Sequence, residues 1–137
     1  MSRTAEIRLT VELDDQDLPI QIDWQASEAR EPGPASAQAM LLSLWDSENK
    51  STAAIDLWTK DMTIDDMNLY FYQVIHKMAD SYLRATKNND IARLIHEFGD
   101  GFGNRLGMLR NDIDQGDSEG PADLISLADD HRQRSRK

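Results

Sequence analysis

One long segment of helical periodicity, residues 63–85, constrains the fold more than any other part of the chain. It contains neither glycine nor proline, and its apolar residues recur at the three- and four-residue spacing of a helix face. The predicted helix is apolar over more of its circumference than an ordinary surface helix requires. We therefore expect it to be covered on two sides, by a small sheet on one and by another helix or a second subunit on the other.

Two segments before this helix alternate apolar and polar residues with the period of two that is typical of half-buried strands. They are residues 6–13 and 18–24, separated by the polar residues 14–17. Together they predict an antiparallel hairpin with one apolar face, in which Pro19 belongs at a strand start or an edge because it has no N–H.

Three further elements complete the prediction. Residues 36–46 are predicted as a buried helix capped by Ser36, and residues 52–59 as a third strand. A last helix, capped by Asn89 or Asp90, is predicted to fray at the glycines that follow Phe98. The order strand, strand, helix, strand, helix, helix indicates an α+β, two-layer fold, with a small antiparallel sheet packed under the long amphipathic helix.

The composition of the chain limits the domain organisation and the classes of function that we expect. The chain has 137 residues, a formal charge of -10 and no cysteine, so nonspecific nucleic-acid binding and thiol chemistry are not expected. Residues 1–110 are predicted to form a single domain. Residues 111–137, acidic and then basic, are predicted to be disordered or to dock as a short helix around 121–127. No signal peptide or membrane-spanning stretch is recognised, which favours a cytoplasmic protein without membrane insertion.

No residue pattern indicates catalysis, a cofactor or a metal. The glycines at 99, 101 and 103 follow a helix rather than a strand, unlike a phosphate-binding loop. Residues 112–117 resemble a calcium loop, but the position that requires glycine holds Asp117 and no glutamate closes the loop. His76 is predicted to be packed and hydrogen-bonded to a neighbour, and His96 to lie on the surface. We expect a protein that is not an enzyme.

Aromatic residues are more informative about binding. Trp58 and Tyr72 each point away from the main apolar face of their predicted element, and exposed aromatic side chains are typical of protein–protein contacts. The candidate protein-interaction residues are Trp58, Leu69, Tyr72, His76 and Leu83.

The sequence resembles the gliding motility protein GldC family. The resemblance covers about residues 5–109, and its most specific blocks are Leu-Trp-Asp at 44–46 and Asp-Leu-Trp-Thr-Lys at 56–60. It implies a small cytoplasmic protein that accompanies the gliding machinery, without enzyme activity, cofactor or catalytic residues. Residues after Met108 have no counterpart in this resemblance.

Two hypotheses of different classes follow. The first is a non-enzymatic adaptor or chaperone-like interaction protein of the gliding machinery, which forms a homodimer and binds protein partners through an open sheet edge or an aromatic groove. The alternative is a small-molecule-binding domain with a pocket between sheet and helices that uses His76.

Overall fold

The computed structural model describes residues 1–30 and 33–108, so the predicted tail and its short apolar segment lie outside the described residues. The elements in chain order are β1 Ile7–Leu13, β2 Pro19–Ala26, β3 Ala35–Ala37, β4 Ala39–Asp46, β5 Ser51–Trp58, α1 Ile64–Thr86 and α2 Asn89–Arg105. The predicted α+β class is confirmed.

The chain divides into two compact units at the junction of Thr63 and Ile64. We call Met1–Thr63 the β unit and the chain from Ile64 onward, described to Met108, the helical unit. Each unit is described by itself below. That residues 1–110 form a single domain stays a prediction.

The predicted hairpin is confirmed as β1 and β2, which pair antiparallel. Val11 lies opposite Ile22, Leu9 opposite Trp24, and β2 begins at Pro19 after a register shift at the end of β1. Ile22 is 1% exposed, and β3 pairs with the other edge of β2, with Ala37 opposite Ile22. This three-stranded sheet, in the order β1-β2-β3, carries most of the buried apolar residues of the β unit.

Asp14 organises the turn between β1 and β2. Its Oδ1 accepts hydrogen bonds from the backbone N–H groups of Gln16 (2.8 Å) and Leu18 (3.0 Å). Its Oδ2 lies 2.9 Å from Nζ of Lys60. The Lys60 hydrogen bond and the two backbone donors lower the pKa of Asp14 to about 2. The backbone N–H of Lys60 also donates to the carbonyl of Pro19 (3.1 Å), so the segment after β5 is tied to the first hairpin.

The helix predicted over residues 36–46 is wrong, since these residues form β3 and β4. β4 pairs antiparallel with β5 along its whole length, from Ala39 opposite Trp58 to Asp46 opposite Ser51. The run is apolar on every side, so its periodicity does not distinguish a buried helix from a strand. The strand predicted at 52–59 is confirmed as β5, but it forms a two-stranded sheet with β4 instead of joining the first hairpin.

The long helix predicted over residues 63–85 is confirmed as α1. The second helix is capped by Asn88, whose side-chain oxygen accepts from the backbone N–H of Ile91 at 3.2 Å. The predicted fraying at residues 99–103 is wrong, because α2 continues through all three glycines to Arg105. The glycine that does leave the helical region is Gly107, with φ +75°.

Candidate functional sites

The β4–β5 hairpin exposes large apolar side chains on both of its faces. Leu44, Trp45, Ile55 and Trp58 are 60%, 63%, 51% and 52% exposed, and we call these four residues the hairpin surface. The register places Trp45 opposite Thr52 and Trp58 opposite Ala39, whereas Leu44 and Ile55 belong to the alternate face. A sheet usually buries at least one apolar face. The hairpin has the apolar side chains of a buried sheet, but these side chains are exposed to solvent.

Trp58, the candidate that the sequence indicates in the β unit, ends β5 directly before a buried, hydrogen-bonded residue. The next residue, Thr59, is 1% exposed, and its N–H donates to the carbonyl of Gln38 at 2.8 Å. The side chain of Trp58 is therefore half exposed on a well-held strand end, the arrangement expected of a rigid aromatic anchor.

The helical unit also exposes large apolar side chains. Phe71 and Met78 on α1 and Leu94 and Phe98 on α2 are 39%, 53%, 58% and 64% exposed. A shallow groove of about 460 Å³ adjoins Phe98, and it is lined by Asn68, Phe98, Gly101, Phe102, Arg105 and Leu106. His76 is not among the lining residues of this groove.

The α1 residues predicted to bind a partner occupy different environments. Tyr72 is 2% exposed and packs against α2, where a Cβ added at Gly103 would lie 2.6 Å from its ring. Leu69 and Leu83 are half-buried. In this conformation Tyr72 is not accessible to a partner, whereas a binding role for Leu69 and Leu83 stays a prediction.

His76 lies in a polar chain that joins the two helices. Its Nδ1 is 2.6 Å from Nδ1 of His96, and the two ring planes, with centroids 4.9 Å apart, are inclined by 25°. Nε2 of His96 is 3.0 Å from Oδ1 of Asp80, and Nε2 of His76 is 3.5 Å from Oδ1 of Asp100. The prediction that His76 is hydrogen-bonded to a neighbour is confirmed, and the neighbour is the histidine that was expected on the surface.

The arrangement is reciprocal. Asp80 follows His76 by four residues on α1, and Asp100 follows His96 by four residues on α2, so each helix presents a histidine and an aspartate on one face. Each histidine contacts the histidine and the aspartate of the other helix. The sequence analysis does not predict this cluster. The only signal for it is the repeated His-x-x-x-Asp spacing, which becomes informative once the two helices are known to pair.

A small residue on α2 makes room for the imidazoles. A Cβ added at Gly99 would lie 2.7 Å from Nε2 of His76, closer than real Cβ contacts allow. Gly99 and Gly103 are four residues apart, so both lie on the α2 face that meets α1. These glycines are therefore positions of close helix approach rather than helix breakers.

The polar chain does not have the geometry of a metal centre. Two imidazole nitrogens bound to one zinc ion would each be about 2.0–2.1 Å from it and well apart from each other, whereas the two Nδ1 atoms lie 2.6 Å apart. Within residues 1–30 and 33–108, no group of three or more histidine, aspartate or glutamate side chains is placed to hold a metal ion. The hydrogen bonds of this polar chain are those of His96 with His76 and with Asp80.

No helix in the described part of the chain combines the length and the apolar character that crossing a membrane requires. The fold and its surfaces define a small α+β protein with a half-exposed apolar hairpin and two helices joined by a histidine pair.

Residues 19–108, from the start of β2 to the last described residue, match the model of the family described as gliding motility-associated protein GldC-like. The chain belongs to this family, which associates it with gliding motility and confirms the resemblance inferred from the sequence. β1 lies before the matched residues. No curated protein and no solved structure matches the chain.

Proposed function

We propose that the protein is a non-enzymatic adaptor of the gliding machinery, chaperone-like in binding other proteins through exposed apolar surface. The observation that carries the proposal is the hairpin surface, on which four large apolar side chains are each more than half exposed. We place this activity in the cytoplasm, and we assign no cofactor to it.

The hairpin itself supports the proposal energetically. An isolated two-stranded hairpin is marginally stable in water, and a third strand or a packed face is normally needed. β4 and β5 pair only with each other in the described sheets, so both outer edges lack a backbone partner there. A bound chain that adds a strand to either edge would satisfy these backbone groups and cover the apolar faces in one step.

Trp58 is the residue we assign as the anchor of the contact. Aromatic side chains that lie at the centre of an interface commonly account for 2 kcal/mol or more of binding free energy, as a rough guide. The exposed surface of Trp58 is available without unfolding because Thr59 holds the strand end in place.

A second copy of the chain is the partner that is always present, so we propose that the protein is a homodimer. Light scattering over a concentration series tests this assembly. A mass that doubles with rising concentration supports the dimer, and a monomer mass at high micromolar concentration contradicts it.

Photo-crosslinking tests the contact with gliding proteins directly. A photoreactive amino acid placed at position 58 in the native cell should form specific crosslinks to a protein partner. The same group at Arg8, which is exposed on β1 and lies outside the hairpin surface, serves as the positional control. Absence of crosslinks from position 58 contradicts the proposal.

A further inference from the structure

The groove beside Phe98 follows one stripe of α2. Phe98, Gly101, Phe102 and Arg105 line it, at the i, i+3, i+4 and i+7 spacing of a single helix face. Phe98 and Leu106 are 64% and 43% exposed. A Cβ added at Gly101 meets no atom of the described residues within 4 Å. The groove is therefore an open apolar surface, and Arg105 is the cation among its lining residues.

The sequence of residues 121–130, which we call the C-terminal segment, predicts a short helix with one apolar face. Its larger apolar residues recur at the i, i+1, i+3 and i+4 spacing of a helix stripe. They are Leu124, Ile125, Leu127 and Ala128. Pro121 suits the first turn, where a helix has no use for a backbone N–H. At about 100° per residue, Ser126 falls opposite the middle of the apolar stripe.

The chain between the groove and the C-terminal segment is long enough for the two to meet. The last described residue, Met108, follows the groove residue Leu106 by two positions, and residues 109–120 connect it to the segment. At ~3.3 Å per residue, this connection spans at most about 40 Å, whereas α2 rises only about 10 Å between Phe98 and Arg105. A short tether raises the effective concentration of the segment to about the millimolar range, so even a weak contact is populated.

Charge favours the same contact. Asp123 and Asp129 fall at the two edges of the apolar stripe, and Arg105 is exposed at the groove. A segment that lies along α2 can therefore bring a carboxylate to a guanidinium group. The final six residues of the chain have four cationic and no acidic side chains, whereas the whole chain has a formal charge of -10. Docking of the segment brings this cationic end to an acidic protein.

We propose that the C-terminal segment docks as a short helix into the groove of the helical unit of its own chain. Leu124 and Leu127 then cover the aromatic rings of the groove, and an aspartate at the edge of the stripe meets Arg105. Binding of an amphipathic helix in an apolar groove is a recurrent mode of peptide recognition. This internal contact goes beyond the adaptor function and does not depend on it, because the hairpin surface belongs to the β unit. The docked segment closes the groove to other apolar chains.

A spin label at position 126 tests the docking in the full chain. The protein has no cysteine, so Ser126→Cys provides a single labelling site on the polar face of the segment. In nitrogen-labelled protein we expect loss of the amide NMR signals of Phe98, Phe102 and Leu106, and their return when Leu124→Asp is added. Leu124→Asp retains the tether and therefore controls for chance proximity. Groove signals that are the same with and without Leu124→Asp would overturn the proposal.

A mixed sample distinguishes docking within one chain from docking onto a second copy. Spin-labelled protein without the nitrogen isotope is mixed with nitrogen-labelled protein that carries no spin label. Unchanged groove signals in the mixture support docking within one chain. Loss of these signals in the mixture would show that a second copy occupies the groove and would overturn the proposal.

Phe98→Asp tests the contact from the side of the groove. Phe98 is 64% exposed, so we expect the variant to fold and the label at position 126 to leave the signals of Phe102 and Leu106 intact. Asn104→Asp adds the same charge to α2 outside the lining residues and should still show their loss. Equal loss in both variants would contradict a contact with this groove. If Phe98→Asp does not fold, the comparison with Leu124→Asp decides.

Discussion

The ring of Tyr72 occupies the space that a side chain at Gly103 would need. A Cβ built on Gly103 would lie 2.6 Å from Cε2 and 2.9 Å from Cδ2 of Tyr72. Ring atoms of a residue that is 2% exposed have little room to shift. The contact between α1 and α2 therefore depends on the absence of a side chain at this position.

Gly103→Ala is expected to destabilise the protein. Overpacking of a close contact typically costs about 1–3 kcal/mol, which exceeds the roughly 0.5–1 kcal/mol that alanine gains over glycine within a helix. Chemical denaturation of the variant measures the balance.

Gly101→Ala is the matched control for this substitution. It lies on the same helix, two residues earlier, and a Cβ added there meets nothing within 4 Å. We expect this variant to be more stable than the wild type by about 0.5–1 kcal/mol, because only the helix propensity changes. Equal effects at the two positions would contradict the close-approach account.

Gly99→Ala should disturb the histidine pair as well as the packing. The added Cβ would lie 2.7 Å from Nε2 and 2.9 Å from Cε1 of His76, so the ring must move. The expected result is lower stability, by about 1–3 kcal/mol, together with altered nitrogen NMR signals of both His76 and His96. A stable variant with unchanged histidine signals would show that the ring has more space than the structure indicates.

These glycines illustrate what the sequence can and cannot predict. Amphipathic periodicity predicts α1 well, since its signal is local and long. Glycines after Phe98 indicate a helix end when read locally, and their role in close packing is visible only once α1 is placed beside α2. The same holds for His76 and His96, because two His-x-x-x-Asp patterns twenty residues apart gain meaning only from the pairing of the helices.

β4 shows a different limit. Residues 39–46 are apolar on all sides, so neither a period of two nor a period of 3.6 dominates. These residues form a strand because they pair with β5, which begins after the four residues 47–50. A local hydrogen bond stabilises the turn between β4 and β5, since Oδ1 of Asp46 accepts from the N–H of Glu48 at 3.0 Å. The sequence identifies Trp58 as a candidate because its side chain departs from the apolar alternation of its own strand.

Asn88→Ala should destabilise α2 through the loss of its N-terminal cap. The side chain of Asn88 accepts the N–H of Ile91, and loss of such a cap costs about 0.5–2 kcal/mol. Asn88→Asp retains an acceptor and should recover most of the stability in the same denaturation assay. If the alanine and aspartate variants are equally unstable, the side-chain hydrogen bond is not the cause.

Lys60→Met should raise the pKa of Asp14. The Lys60 hydrogen bond is the largest cause that lowers this pKa to about 2, and the backbone N–H groups of Leu18 and Gln16 also lower it. The expected value in the variant therefore lies between about 2 and the ordinary 3.8. Carboxyl-carbon NMR across acidic pH measures it, and an unchanged pKa would mean that the ion pair is absent in solution.

The same pair predicts an acid dependence in the wild type. Because the folded pKa of Asp14 is lowered, its ionised carboxyl stabilises the fold fully above pH 3.8, and this contribution is lost as pH falls through about 2. Asp46, whose pKa is lowered mainly by its hydrogen bonds with Asn49, contributes in the same direction. In Lys60→Met the acid-induced loss of stability should be smaller, as measured by thermal unfolding between these pH values.

The most direct measurement is affinity purification from the native cell with wild-type protein, Trp58→Ala and Thr52→Ala, after thermal unfolding has shown that all three are folded. The adaptor account predicts that gliding proteins recovered with the wild type are also recovered with Thr52→Ala and are lost with Trp58→Ala. Recovery of the same proteins by all three variants, or of none by the wild type, would contradict it.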